Sequence, residues 1–176
     1  YSIVDQWGNA VSNTYTINWN YGSGVVVEGA GFLLNNEMDD FSSKPGHPNI
    51  YGLIGSKANA IEPEKRMLSS MTPTIIEKNG DLFLIVGTPG GSTIITSVFQ
   101  TILNVILFNM EIQAAVDTPR FHHQWKPDNI YIEQSLSSHS LLDSLLNMGH
   151  ETKIRNSIGH VNAILCNKNV YVGADK

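Results

Sequence analysis

Short apolar runs broken by glycine, proline or asparagine set the rhythm of this chain. The clearest is Leu82 to Val86, an uninterrupted apolar segment too short for a helix, which reads as a buried strand. It meets Gly87-Thr88-Pro89-Gly90-Gly91-Ser92, after which a longer apolar segment runs from Thr93 to Phe108. Many residues of that segment are β-branched, but its length and lack of breakers predict a helix buried on most sides. Thr74 to Glu77 and Leu82 to Val86 flank Asn79-Gly80, a hairpin signal. Ser2 to Gln6 alternates up to Gly8-Asn9. Ala10 to Asn18 then reads as the return strand, with Val11, Tyr15 and Ile17 on one face and Ser12, Thr14, Thr16 and Asn18 on the other. A glycine-rich stretch follows, with some strand around Val25 to Val27, and Phe32 to Leu34 is a short strand leading into Asn35-Asn36-Glu37-Met38-Asp39-Asp40-Phe41.

Further along, Ile112 to Asp117 predicts a short helix stopped before Pro119. Ile130 to Glu133 predicts a strand. Ser137 to Met148 predicts a helix, with Leu141, Leu142, Leu145 and Met148 at helical spacing and Gly149 as its cap. Val161 to Cys166 and Val170 to Val172 predict a last hairpin around Asn167-Lys168-Asn169. Strands at both ends with helices between them give an α+β fold, its sheets covered by helices. Ser42 to Arg66 is the least regular part. Pro45, Pro48, Pro63 and several glycines exclude a long element there, and a loop of that length is usually functional or covered by a partner.

Composition narrows the classes. A chain of 176 residues suits one domain with a real core, and 41% hydrophobic content with 15% charged residues belongs to a globular protein. The low charge hints that some surface is covered by another chain. A net charge of −5 without any Lys/Arg cluster argues against nucleic acid as a partner. No apolar run reaches the length of a membrane span. The lone Cys166 cannot form an internal disulfide and, in an apolar strand, reads as core. No signal peptide is visible, and the chain opens on Tyr1 rather than Met, so a processed or trimmed start is expected.

The Pro-Gly-Gly turn between strand and helix is the first candidate for chemistry. Glycine lets the backbone approach a ligand closely, and the first N–H groups of a helix have no internal partner and lie at its positive end. Such a turn suits a phosphate, a carboxylate or the oxyanion of acyl transfer, though a plain tight turn fits the same residues. Thr16 and Asn18 form a second polar group, readable also as a solvent face. Glu37, Asp39 and Asp40 crowd after an apolar strand, as a solvated turn or as a cradle for an ammonium. Ser69-Ser70, closed by Pro73, offers paired hydroxyls and N–H groups for a carboxylate, or is an ordinary loop. A ligand with an α-amino group, an α-carboxylate and a reacting acyl carbon would use all three chemistries. No phosphate loop and no G-x-S-x-G elbow is present. His122-His123 lacks metal-ligand spacing and reads as structural. No metal or cofactor is called for.

These residues resemble a known family, the small subunit of γ-glutamyltranspeptidase (glutathione hydrolase). The resemblance is carried by Tyr1-Ser2-Ile3-Val4-Asp5 with Gly8-Asn9-Ala10-Val11, by Thr14-Tyr15-Thr16-Ile17-Asn18, and by Leu33 to Phe41 with Lys44-Pro45-Gly46. It continues through Lys65-Arg66 with Leu68 to Thr74, Gly87 to Ser92, Pro119 to Trp125 and Gly173-Ala174-Asp175. It implies an αββα sandwich of the N-terminal-nucleophile hydrolase type: the small-subunit half of a self-cleaved precursor, with two antiparallel sheets and helices outside. It implies γ-glutamyl acyl transfer from donors such as glutathione, through an acyl-enzyme, to water, amino acids or peptides. It implies a large-subunit partner and a periplasmic or extracellular location.

Residue by residue, Thr16 resembles the threonine that orients the nucleophile. Asn18, Glu37 and Asp40 resemble the holders of the donor's α-amino group, Ser69 and Ser70 its α-carboxylate binders, and Gly90 and Gly91 the oxyanion hole. The family's small subunit usually begins Thr-Thr-His before the position of Tyr1, and its first threonine is the nucleophile. A chain without it is expected to be inactive alone, which leaves a non-catalytic γ-glutamyl-binding module or an assembly subunit as alternatives. Thr88 and Thr93 stand where the family often has Ser and Arg, and Lys176 stands near where the family continues with an Asp-Pro-Arg-type tail.

Overall fold

The computed structural model describes residues 1–175; Lys176 lies outside them. In order, the chain forms β1 (Ser2–Val4), β2 (Ala10–Ser12), β3 (Val26–Val27), β4 (Phe32–Leu33), β5 (Thr74–Lys78), β6 (Asp81–Gly87), α1 (Ile94–Ile106), α2 (Ile112–Asp117), β7 (Phe121–His122), β8 (Ile130–Glu133), α3 (His139–Asn147), β9 (Thr152–Arg155), β10 (Asn162–Asn167) and β11 (Asn169–Ala174). It divides into two compact units: Tyr1–Thr14 together with the chain from Met71 onward, and Tyr15–Ser70.

The first unit is built on the strand that the apolar run predicted. β6 sits inside an antiparallel sheet of order β11-β10-β6-β5. Its residues Leu84, Ile85 and Val86 are fully buried, as a strand covered on both faces requires. Leu84 and Val86 point to one side, where they meet Val98 and Val105 of α1 and Ile112, Ala115 and Val116 of α2. Ile85 points to the other side, which the β1–β2 hairpin covers. Ser2 Oγ of that hairpin donates to the carbonyl of Asn162 at 3.1 Å, and Ser12 Oγ to the carbonyl of Val86 at 3.0 Å. Asn79 and Gly80 both take positive φ, the geometry a two-residue hairpin needs to match strand twist.

Three expectations are corrected here. The return strand ends at Ser12 and does not reach Asn18. Asn18 has φ 72, and its N–H is held by Thr16 Oγ1 at 2.8 Å, a local bond that replaces a strand ladder. Thr16 and Asn18 therefore do not share a strand face. The predicted helix Thr93 to Phe108 is α1 preceded by a 3-10 turn over Gly91–Thr93, and it is not buried on most sides. Ile94, Val98, Thr101 and Val105 make one buried stripe, while Ile95 and Phe99 are exposed. Cys166 lies in β10 but is only half-buried, near the end of the strand.

Two strands had no sequence signal. β7 and β9 flank β8 in a second sheet, and β8 pairs with β9 in parallel. Parallel neighbours need a long crossover, and α3 supplies it. Ser138 caps α3, its Oγ accepting from the N–H of Leu141, and Gly149 ends it with φ 88. His122, on β7, is buried and bonded at both ring nitrogens, Nδ1 to Thr96 Oγ1 and Nε2 to Gln124 Oε1, each at 2.8 Å. Burial lowers its pKa, consistent with a structural histidine.

The second unit, Tyr15–Ser70, holds the β3–β4 hairpin, a 3-10 turn over Glu37–Asp40 and another over Lys57–Asn59. The rest is irregular, as its prolines and glycines predicted.

Candidate functional site

The acidic run after β4 folds into the 3-10 turn Glu37–Asp40, which places Glu37 and Asp40 three residues apart on a tight turn. Both are half-buried. Burial pushes the pKa of Glu37 up, and the charge of Asp40 adds to the shift. Burial does the same to Asp40, with Asp39 adding to it. Glu37 Oε1 is shielded from solvent and meets no hydrogen-bond donor among the described residues. A carboxylate oxygen in that state is costly unless a cation or donor completes it.

Asn18 adjoins this turn. Its Nδ2 donates to the carbonyl of Asn36 at 3.2 Å, and its Oδ1 accepts from the Tyr51 hydroxyl at 3.0 Å. Asn36 in turn donates its N–H to Ile17 O at 3.2 Å and accepts from Trp19 N–H through Oδ1 at 3.1 Å. Burial first, and then the charges of Asp40, Asp39 and Glu37, raise the Tyr51 pKa, so this hydroxyl stays protonated and donating. Thr16 Oγ1 accepts from Asn18 N–H, which leaves its own O–H to donate elsewhere.

Asn59 ties the acidic turn to the serine pair. Its Nδ2 donates to the carbonyl of Asp40 at 2.7 Å, and its Oδ1 accepts from Leu68 N–H at 3.0 Å. The backbone just before Ser69 is thus held beside Asp40. Ser69 is exposed and Ser70 half-buried, both in non-repetitive backbone. The second unit therefore gathers Thr16, Asn18, Glu37 and Asp40 and leads the chain to Ser69 and Ser70. Tyr51 and Asn59 escaped the sequence reading because one sits in a turn and the other ends the short 3-10 turn Lys57–Asn59, neither with a sequence signal; their role is visible only in bonds to residues far along the chain.

The glycine turn belongs to the first unit. Gly90 has φ 141 and Gly91 φ 57, conformations that favour glycine. A Cβ on Gly90 would come within 2.6 Å of Thr93 Oγ1. The carbonyl of Gly90 is used, accepting from Thr93 N–H at 3.1 Å and from Thr93 Oγ1 at 2.9 Å. Among the described residues no hydrogen bond within the chain engages the N–H of Gly90 or Gly91. Gly87, at the entrance of the turn, pairs with Asn162, whose carbonyl holds Ser2. The turn and residue 1 therefore lie at the same end of this unit. A cavity of about 490 Å³, lined by Ile76, Phe83, Val105, Met110 and Tyr171 among others, lies at the opposite, Asp81 end of β6. Among the described residues no group of acidic, histidine or cysteine side chains has metal-binding geometry, and no helix is long and apolar enough to cross a membrane.

The family model described as Gamma-glutamyltranspeptidase matches residues 1–176. Over 134 residues, 76% of this chain and 24% of the relative, the sequence is 61% identical to the glutathione hydrolase proenzyme of Pseudomonas aeruginosa. It is 48% identical to the Escherichia coli glutathione hydrolase proenzyme over 165 residues, 94% of this chain and 28% of that protein. The chain thus spans about a quarter of the length of the curated relatives it matches. A solved structure of a mutant Helicobacter pylori γ-glutamyltranspeptidase superposes with a TM-score of 0.96 at 55% identity, over 99% of this chain and 97% of that one. The α+β fold of the N-terminal-nucleophile hydrolase type is therefore the fold of this chain. The chain belongs to the γ-glutamyltranspeptidase family.

Proposed function

We propose that this chain supplies the donor-binding and oxyanion-stabilising groups of a γ-glutamyl acyl-transfer enzyme, a glutathione hydrolase and γ-glutamyltransferase. One observation carries the reading: the shielded, unsatisfied oxygen of Glu37, beside Asp40, with both carboxyl groups destabilised as anions. An ammonium is the ligand that relieves both costs, and the α-amino group of a γ-glutamyl donor provides one. Asn18 contributes to that cradle. Ser69 and Ser70 take the α-carboxylate with their hydroxyls and N–H groups.

The reacting carbonyl is the remaining part of the donor. Attack by a nucleophile moves charge onto its oxygen, and the unengaged N–H groups of Gly90 and Gly91 accept that charge as hydrogen-bond donors. The nucleophile is the hydroxyl of a threonine three residues before Tyr1. That position agrees with residue 1 lying at the turn's end of its unit. Thr16, through its free O–H, orients the nucleophile. Attack releases the amine and leaves a γ-glutamyl ester, which water or an amino acid or peptide then cleaves. The partner is the large subunit cut from the same precursor, and the location is periplasmic or extracellular. The names of the relatives favour an enzyme over a binding module.

The test is to express the complete precursor carrying this chain and follow amine release from a chromogenic γ-glutamyl anilide. Amine release that requires the upstream threonine supports the proposal. A matured, folded protein that binds glutamate but releases no amine would sink it.

A further inference from the structure

Behind the glycine turn stands a set of groups that touches no ligand in the reading above. Thr88 is 3% exposed. Its hydroxyl donates to the carbonyl of Pro89 at 2.7 Å and accepts from the N–H of His160, also at 2.7 Å. Pro89 C=O and Gly90 N–H belong to one peptide unit, which is planar and trans. In a trans unit the carbonyl and the N–H point in opposite directions. Holding the carbonyl oxygen therefore fixes where the Gly90 N–H points. Glycine at position 90 offers little resistance of its own to rotation of this unit, because it tolerates most backbone angles.

The bracing continues inward. Gly159 has φ 75, and a Cβ there would lie 2.8 Å from Thr88 Oγ1 and 3.0 Å from Ser97 Oγ, so residues 158–160 press directly on Thr88. A Cβ on Gly90 would lie 3.4 Å from Gly159 Cα, so the same segment also backs the turn. Ile158, 1% exposed, donates its N–H to Glu133 Oε1 at 2.7 Å. The other oxygen of Glu133 accepts from Arg120 N–H at 3.0 Å, and the Arg120 guanidinium balances its charge at 3.4 Å.

We propose that Thr88 is a positioning residue: its hydroxyl, braced through residues 158–160 by Glu133, aims the Gly90 N–H at the developing oxyanion. The inference rests on the reading of the turn as an oxyanion cradle. It demands the hydroxyl, not the bulk, at position 88. Serine keeps both hydrogen bonds, valine keeps the shape and loses them, and cysteine offers only a weak donor.

The experiment compares Thr88→Ser, Thr88→Val and Thr88→Cys in the complete, matured enzyme, with kcat and KM for a γ-glutamyl anilide normalised to the matured fraction. Thr88→Val is expected to lower kcat by about tenfold or more while donor KM and inhibition by free glutamate stay within about twofold. Thr88→Ser is expected to retain kcat. If Thr88→Val fails to mature, Thr88→Cys against Thr88→Ser decides, with cysteine expected to lower kcat and leave KM alone. An active wild type whose valine or cysteine variant matches the serine variant in kcat overturns the positioning role and leaves the proposed function standing. Equal losses in kcat and donor affinity also overturn it, since they indicate general loosening. A wild-type enzyme without γ-glutamyl activity overturns both.

Discussion

Leu84, Ile85 and Val86 have no exposed surface at all, and most of the buried hydrophobic side chains gather around them in the first unit. In Tyr15–Ser70, Phe41 is the one buried hydrophobic side chain among the described residues. That segment is held instead by side-chain amides. Asn18, Asn36, Asn49 and Asn59 bond backbone groups of residues ten or more positions away. Apolar packing is non-directional, and the buried polar atoms the first unit leaves without a partner, Asn13 Oδ1, Arg120 Nε and Asn129 Oδ1, include no carboxylate oxygen; beside them it offers the unengaged N–H groups of a turn at its edge. Amide tethering is directional and needs no apolar cover, so it can hold carboxyl groups half-buried. It is in that unit that Glu37 keeps a shielded oxygen without a donor. On the proposed reading the work divides: the first unit supplies two N–H groups, and the lightly cored unit gathers carboxyl groups for an ammonium.

The contrast can be broken most severely through the core. Leu84→Ala is expected to destabilise the first unit by about 2–5 kcal/mol, seen as a large drop in the main thermal transition. Phe41→Ala should leave that transition nearly in place and instead admit protease between residues 15 and 70. If both variants lower the same transition equally, the two units unfold as one and the contrast fails.

Substitution of the turn comes next. Gly90→Val forces a β-branched residue to φ 141 and against Thr93, and is expected to lower kcat of the complete enzyme by about 10²- to 10³-fold, the scale of a lost oxyanion donor. Its donor KM should change little, which kinetics on the matured protein will check. Asp40→Asn attacks the other unit. Removing a charged partner of an ammonium is worth about 1.5–3 kcal/mol, so donor KM should rise about 10- to 100-fold with a smaller change in kcat. The two variants therefore fall on opposite sides of the kcat–KM divide, and a matching pattern in both would show that the units do not divide the work.

The smallest effect is that of pH. Glu37 is raised by burial and then by Asp40, so its folded pKa lies above its unfolded value. Between those two values the native state holds the proton and the unfolded state does not, so stability falls as pH rises through that window. At neutral pH the ionised group is a cost. Glu37→Gln should therefore raise the melting temperature slightly at neutral pH, and the gain should shrink as pH drops below the unfolded value. Donor binding runs the other way, because only the ionised carboxyl attracts an ammonium. Donor KM should rise on acidification from above the ordinary carboxylate range, and the Glu37→Gln enzyme should lose that part of the pH dependence.

Much of the first unit was legible in advance. The predicted bounds of α2 and β8 agree with the structure, Asn79-Gly80 turns as a two-residue hairpin should, and Gly149 ends α3. Each depends on local propensity and apolar period, which act over a few residues. β7 was missed because it is two residues long, and β9 because Thr152-Lys153-Ile154-Arg155 holds a single apolar residue: their strand character comes from pairing with β8. The run from Ala10 to Asn18 misled for the converse reason. Its alternation is real, but Thr16 Oγ1 captures Asn18 N–H and Asn18 turns to positive φ, so local side-chain bonding defeats the ladder.

The site divides the same way. By itself the sequence determined the chemical kinds on offer, namely carboxylates near residue 40, paired hydroxyls near 70 and a doubled glycine near 90, because side-chain chemistry is carried by residue identity. Tertiary structure alone decided which of them are shielded, which remain unsatisfied and what braces them. The raised pKa of Glu37, the Asn59 bridge from Asp40 to Leu68 and the hold of Thr88 on Pro89 under His160 depend on desolvation and on hydrogen bonds. Most of those contacts join residues that only the fold makes neighbours.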